Sequence, residues 1–120
     1  MRIRVDPAQI QQVLINLVQN AADSIARDGT ITLRARQDRK PLSNGGTDVV
    51  ILEVVDTGKG IPPEIEKRLF DPFFTTKDTG TGLGLSIAAG IVQKHGGALQ
   101  YQTHVHHGTT FGIVLPQATE

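Results

Sequence analysis

Apolar residues recur along the chain with two different periods. From Ile10 onward they step by three and one: Ile10, Val13, Leu14, Leu17, Val18, Ala21, Ala22 and Ile25 form one broad face of a helix. Asp6-Pro7 predicts its start, a capping side chain followed by proline at the first helical position, and Asp28-Gly29 predicts its stop. Ile87, Ala88, Ile91 and Val92 mark another helix that ends at His95-Gly96-Gly97, and Pro62-Pro63 opens a short one near residues 64–69. The other period is two. Arg2 to Val5 reads as a short half-buried strand, and Thr30 to Gln37 as a half-exposed one in which Ile31, Leu33 and Ala35 alternate with polar neighbours. Val49 to Val55 is a nearly unbroken β-branched run, the mark of a central strand. Ala98 to Thr103 and Thr109 to Leu115 close the chain as strands joined by a turn around His106 to Gly108. Asp38 to Thr47 is a polar loop, and the glycine- and threonine-rich stretch running to about Gly82 is a second, long enough to suggest function.

This order predicts an α+β fold: a two-layer α/β sandwich whose mixed, mostly antiparallel sheet is covered on one face by about three helices. A doubly wound sheet needs strand-helix-strand crossovers throughout, and two of the strand pairs here are linked without helices. With 120 residues the chain makes one domain, residues 1–120.

Twelve basic and twelve acidic residues cancel, so attraction for an anion must be local, and no general affinity for nucleic acid or an anionic membrane is expected. No apolar run approaches the roughly 20 residues that span a bilayer, and no signal-peptide pattern opens the sequence, so a cytoplasmic location is expected. Cysteine is absent, which excludes thiolate metal sites and a cysteine nucleophile.

Four polar and glycine blocks stand where strands or helices end. Asn16 and Asn20 lie one turn apart, with Asn20 about 20° beyond Val13 at the margin of the apolar face, and a carboxamide oxygen is a hard ligand suited to Mg2+. An isolated pair of this kind is otherwise a solvated one. Asp56, at the head of Asp56-Thr57-Gly58-Lys59-Gly60, follows the central strand directly; its carboxylate can accept an amino hydrogen of adenine, or the block can be a plain strand-closing turn. Gly80, Gly82 and Gly84 precede a helix whose exposed amides suit phosphate, although their spacing is neither a dinucleotide fingerprint nor a phosphate loop. Phe70, Phe73 and Phe74, within the block ending at Lys77, have core packing as their default. His104, His106 and His107 read as a polar turn, and neither they nor His95 are assigned a role.

Taken in order, the blocks make the chain resemble, over nearly its whole length, the catalytic ATP-binding domain of a sensor histidine kinase, in the gyrase, chaperone, histidine kinase and mismatch-repair ATPase superfamily. Gln12 to Ala21 is similar to its asparagine box, Asp56 to Gly60 and Gly80 to Leu85 to its glycine boxes, and Phe70 to Lys77 to its phenylalanine box. The resemblance implies the Bergerat-type fold, with ATP and Mg2+ as cofactors. Asn20 would bind the metal, Asp56 the adenine amino group and Lys77 the phosphates, and Asn16, Asn20 and Lys77 make up the catalytic set. Gly58, Gly60, Ile61, Gly80, Thr81, Gly82, Leu83, Gly84 and Leu85 would contribute to the nucleotide site and its lid, with Thr109 supporting the base. Asp23 stands where many members carry a basic residue, as in the nitrogen-regulation and oxygen-sensing branch. Asn16 occupies the position of the glutamate base of related hydrolases and cannot take a proton from water, so phosphotransfer rather than rapid hydrolysis is implied. The chain then reads as an excised, monomeric catalytic domain. Its expected partners are a dimerisation and phosphoacceptor domain ahead of Met1, on which the phenylalanine box would dock, and indirectly a response regulator. A nucleotide-binding regulatory module without transfer is the alternative; an anti-sigma-type serine kinase is another, disfavoured by the complete phenylalanine box.

Overall fold

A computed structural model of the chain describes residues 2–25, 28–40, 48–72 and 84–118. Helix α1 (Pro7–Ser24) starts as the sequence predicts: Asp6 is extended and its Oδ1 accepts hydrogen bonds from the amides of Ala8 (3.0 Å) and Gln9 (3.3 Å). Its end comes four residues before the predicted Asp28-Gly29 stop. Ile25 is already extended, and the carbonyl of Ser24 accepts from the amide of Lys59 at 3.3 Å, so the loop after the central strand, rather than a glycine, satisfies the helix end.

Strands β1 (Ile31–Arg39), β2 (Asp48–Asp56), β3 (Ala98–His104) and β4 (Gly108–Pro116) form one sheet in the order β1-β2-β4-β3. Every neighbouring pair is antiparallel, so the sheet is not mixed among the described residues. The predicted first strand is reduced to a single bridge between Ile3 and Gln117, antiparallel like the rest. Beyond it the pairing stops, because Pro116 ends β4 without an amide to donate.

Helix α3 (Gly84–Lys94) and α1 cover one face of the sheet, and the short α2 (Pro63–Glu66) lies beyond the end of β2. The buried side chains of the two long helices, Ile10, Val13, Leu17, Ala21, Ala88 and Val92, meet Val54, Phe111, Ile113 and Leu115 from the sheet. Each large one withdrawn from water contributes about 1.5–3 kcal/mol before the entropy of ordering it. Gly96, with φ of +78°, turns the chain after α3, as the His95-Gly96-Gly97 sequence predicts. Tyr101 on β3 stacks between Phe70 and Phe111 and donates to Glu66 Oε1 at 3.1 Å, pinning the segment after α2 to the sheet. Burial, reinforced by that carboxylate, raises the Tyr101 phenol above its usual pKa.

β1 departs from expectation: only Ile31 is partly covered, and Leu33 is 62% exposed. It is an edge strand, and the helices lie mainly over β2, β4 and β3. On the opposite face, Val49, Ile51 and Val114 form a second, small cluster. Beside it Glu53 is buried and receives Arg34 Nε at 2.8 Å and Arg36 Nε at 3.3 Å.

Candidate functional site

The register divides the helix-facing side of the sheet into transverse rows. Leu33, Val54, Phe111 and Tyr101 make one row, and Ala35, Leu52, Ile113 and Leu99 the next. The row at the end of the sheet is different: Ile31, Asp56, Thr109 and Thr103 stand side by side, three of them polar, below the end of α1. The sequence placed Asp56 and Thr109 in a site, and the structure makes them direct cross-strand partners.

Asp56 is 6% exposed, yet its two oxygens are used unequally. Oδ1 accepts from the amide of Gly58 at 2.8 Å, the amide of Thr109 at 3.3 Å and the hydroxyl of Ser24 at 3.5 Å. Oδ2 takes no hydrogen bond among the described residues. Among the described residues the carboxylate is therefore held through one oxygen alone.

The glycines of this loop have a task that the sequence reading did not foresee. A Cβ on Gly58 would lie 1.9 Å from Ser24 Oγ, and one on Gly60 would lie 2.4 Å from the carbonyl oxygen of His104. Gly60 also has a φ of +74°. These residues let the loop thread between the end of α1 and the β3-β4 turn, so their first role is packing protein against protein. The loop is stitched there by Lys59 N to Ser24 Oγ (3.2 Å), His106 N to Lys59 O (2.7 Å) and Ile61 N to Thr103 Oγ1 (2.9 Å). His104, His106 and His107 are exposed at the hairpin end.

Along α1, Asn16, Asn20 and Ser24 are spaced by four, so they run as a shallow spiral along one flank, from the start of α3 to Asp56. Asn16 donates through Nδ2 to the carbonyl of Gly84 at 3.3 Å and accepts from Gln12 Nε2 at 3.0 Å. Its carboxamide thus ties the two long helices together where α3 begins. Asn20 is half-buried midway along the row, and Gly84 and Leu85 lie in the first turn of α3. Lys77, Gly80, Thr81, Gly82, Leu83, and Phe73 to Thr76 lie outside the described residues. Phe70 packs in the core against Tyr101, the default expected of it.

Two contributors escaped the sequence reading. Ser24 follows Asn20 by one helical turn, and Thr103 alternates with Tyr101 and Leu99 on one strand face; both spacings are visible, but what they face depends on register.

Residues 5–119 match the family described as Histidine kinase-, DNA gyrase B-, and HSP90-like ATPase. The chain belongs to this ATPase family. Within it, the sensor histidine kinase ZraS of Salmonella typhi is 45% identical over 115 residues, which are 96% of this chain and 23% of that protein. Sensor protein FixL of Bradyrhizobium diazoefficiens is 39% identical over 118 residues, 98% of this chain and 22% of that protein. The chain thus spans under a quarter of the length of these curated relatives. Among solved structures, the nucleotide-free catalytic domain of histidine kinase ThkA superposes with a TM-score of 0.77 at 37% identity, covering 96% of this chain and 70% of that one. Full-length ShkA in complex with AMPPNP gives 0.78 at 30% identity, covering 98% and 23%. The two-layer ATPase architecture expected from the four blocks is therefore the fold of the family. No helix among the described residues is long and apolar enough to cross a membrane.

Proposed function

We propose that the domain binds Mg-ATP between α1, α3 and the polar end row of the sheet, and presents the γ-phosphoryl group to a histidine on a dimerisation domain of its parent kinase. The observation that carries this reading is the unequal use of Asp56: three donors fix Oδ1, while no described residue donates to Oδ2, the oxygen that would accept an amino hydrogen of adenine. The flank from Ser24 back to Asn16 covers about 12 Å at 1.5 Å per residue, room to separate a base from its phosphates. The phosphates then lie near Asn20 and the first turn of α3, where the helix dipole favours negative charge. The donor set fits Mg2+, with Asn20 supplying one neutral oxygen and the phosphates and water the rest. When bound, the ion neutralises charge on the β- and γ-phosphates. The similarity to the family boxes supports Lys77 as a phosphate contact, Gly80 to Leu85 as a lid and Thr109 beside the base. It also supports docking of Phe73 and Phe74 on the dimerisation domain.

In the transfer, a nitrogen of the acceptor imidazole attacks the γ-phosphorus in line. A new N–P bond forms as the bond to the β-γ bridging oxygen breaks, ADP leaves, and the imidazole sheds its N–H proton. The chain's part is to position and to neutralise charge. With Asn16 committed to Gly84 and Gln12, no carboxylate stands one turn before Asn20 to activate water, which favours transfer over hydrolysis.

The test is an ATP titration with and without Mg2+, followed by transfer of labelled γ-phosphate to the purified dimerisation domain. Wild type should bind ATP more tightly with Mg2+, and Asn20→Ala should lose most of that metal dependence. The acceptor should gain acid-labile phosphohistidine. Binding without any label would sink transfer, and unchanged metal dependence in the variant would remove Asn20 from the metal.

A further inference from the structure

Thr103 lies on β3 directly opposite Thr109, half-buried on the helix-facing side. Its single hydroxyl stands among three groups. It accepts from the amide of Ile61 at 2.9 Å, meets Thr109 Oγ1 at 2.8 Å and lies 3.4 Å from the carbonyl oxygen of Gly108. A hydroxyl has one hydrogen and two lone pairs, so with one lone pair given to Ile61 two arrangements remain. In the first, Thr103 donates to Gly108 and accepts from Thr109. In the second, its hydrogen swings to Thr109 Oγ1, and the hydrogen of Thr109 is released toward the neighbouring Asp56 row.

We infer that Thr103 is a positioning residue for nucleotide binding, a hydroxyl relay that lets Thr109 donate to the bound base while its own oxygen stays hydrogen-bonded. This rests on the nucleotide-site reading above. Thr109 also gives its backbone amide to Asp56 Oδ1, so it is anchored beside that carboxylate. The row then offers an acceptor from Asp56 and a donor from Thr109 side by side, the complement of a ring that carries an amino group beside a bare ring nitrogen. Thr103 also fixes the loop, because Ile61 N–H is one of the points at which the Asp56 loop is fastened to the β3-β4 hairpin. Without the hydroxyl, the Ile61 amide and the Thr109 oxygen lose a partner together.

Calorimetric titration of ATP into wild type, Thr103→Ser, Thr103→Val, Thr109→Val and the double valine variant tests this, with melting curves to confirm folding. Thr103→Ser should bind within about twofold of wild type, while Thr103→Val should weaken binding roughly tenfold, the usual effect of one lost hydrogen bond in a partly buried site. In the Thr109→Val background the Thr103→Val step should shrink severalfold, since the relay has lost its recipient; a merely structural role would give the same loss in both backgrounds. Thr103→Ala carries the same expectations as Thr103→Val if valine prevents folding. The inference is overturned by valine binding within twofold of wild type, by serine failing to rescue, or by equal losses in both backgrounds. Absence of ATP binding by folded wild type would instead overturn the nucleotide site itself, and this inference with it.

Discussion

His106 is the non-glycine residue with a positive φ among the described residues, at +69°, and it sits where the β3-β4 turn meets the Asp56 loop. Its contribution to that junction is its backbone amide, which donates to Lys59 O. The side chain is exposed, and the left-handed backbone costs any residue with a Cβ roughly 1–2 kcal/mol. His106→Gly should therefore raise stability in urea denaturation by about 0.5 kcal/mol after the entropy glycine adds to the unfolded chain, and leave ATP affinity unchanged. A fall in stability would show that the imidazole matters. At this scale the sequence was only half legible. Asp56 could be read as a polar residue at the end of an apolar strand and Thr109 only through the family resemblance, whereas Ser24 and Thr103 could not be told from ordinary hydroxyls. Only the pairing of Thr103 with Thr109 and the approach of Ser24 to Asp56 give them meaning.

At the scale of elements, α1 shows why starts are easier to read than stops. Its start is local, with a cap, a proline and two amides within three residues. Asp6→Ala should cost about 1 kcal/mol in chemical denaturation, and Asp6→Asn much less because the side-chain acceptor survives. Equal losses in both would mean that charge near the helix start, not the capping bond, is what counts. The variants keep the bond from the Asp6 amide to His95 Nε2, 3.0 Å, which belongs to the main chain. The stop of α1 is set by Lys59, 35 positions away, whose amide takes both the carbonyl and the hydroxyl of Ser24. No local signal encodes that. β1 teaches the same lesson: alternation tells which face Leu33 joins, but whether a helix reaches that far is decided by where α1 and α3 lie.

Across the whole molecule, each face of the sheet carries a buried carboxylate, Asp56 at the end of the helix-covered side and Glu53 on the other. Burial opposes ionisation of Glu53, but Arg34 and then Arg36 outweigh it and hold the carboxyl below its usual value of 4.5. A folded-state pKa below the unfolded one gives stability that is complete above about pH 4.5 and is lost as pH falls through the lowered value. Thermal melts from pH 6 to pH 3 should therefore show a drop that is shallower in Glu53→Gln, which starts lower at neutral pH because two arginines lose their acceptor; parallel curves would assign the acid sensitivity elsewhere. The layer order and central place of β2 were readable from its unbroken apolar run, while uniform antiparallel pairing was not, because strand direction follows from connections that pattern alone leaves open. The antiparallel sheet also has a direction of its own. The bridge of Ile3 to Gln117, the bond from the Gln117 amide to Asp48 and that from the Ala118 amide to Arg2 all lie at the Asp48 end of β2, whereas Asp56 lies at the other. Eight strand steps, about 26 Å, separate them. The molecule thus has a handle at one pole and its polar row at the other, and a label, tether or fused neighbour attached near residue 2 or residue 118 leaves the polar row facing outward and untouched.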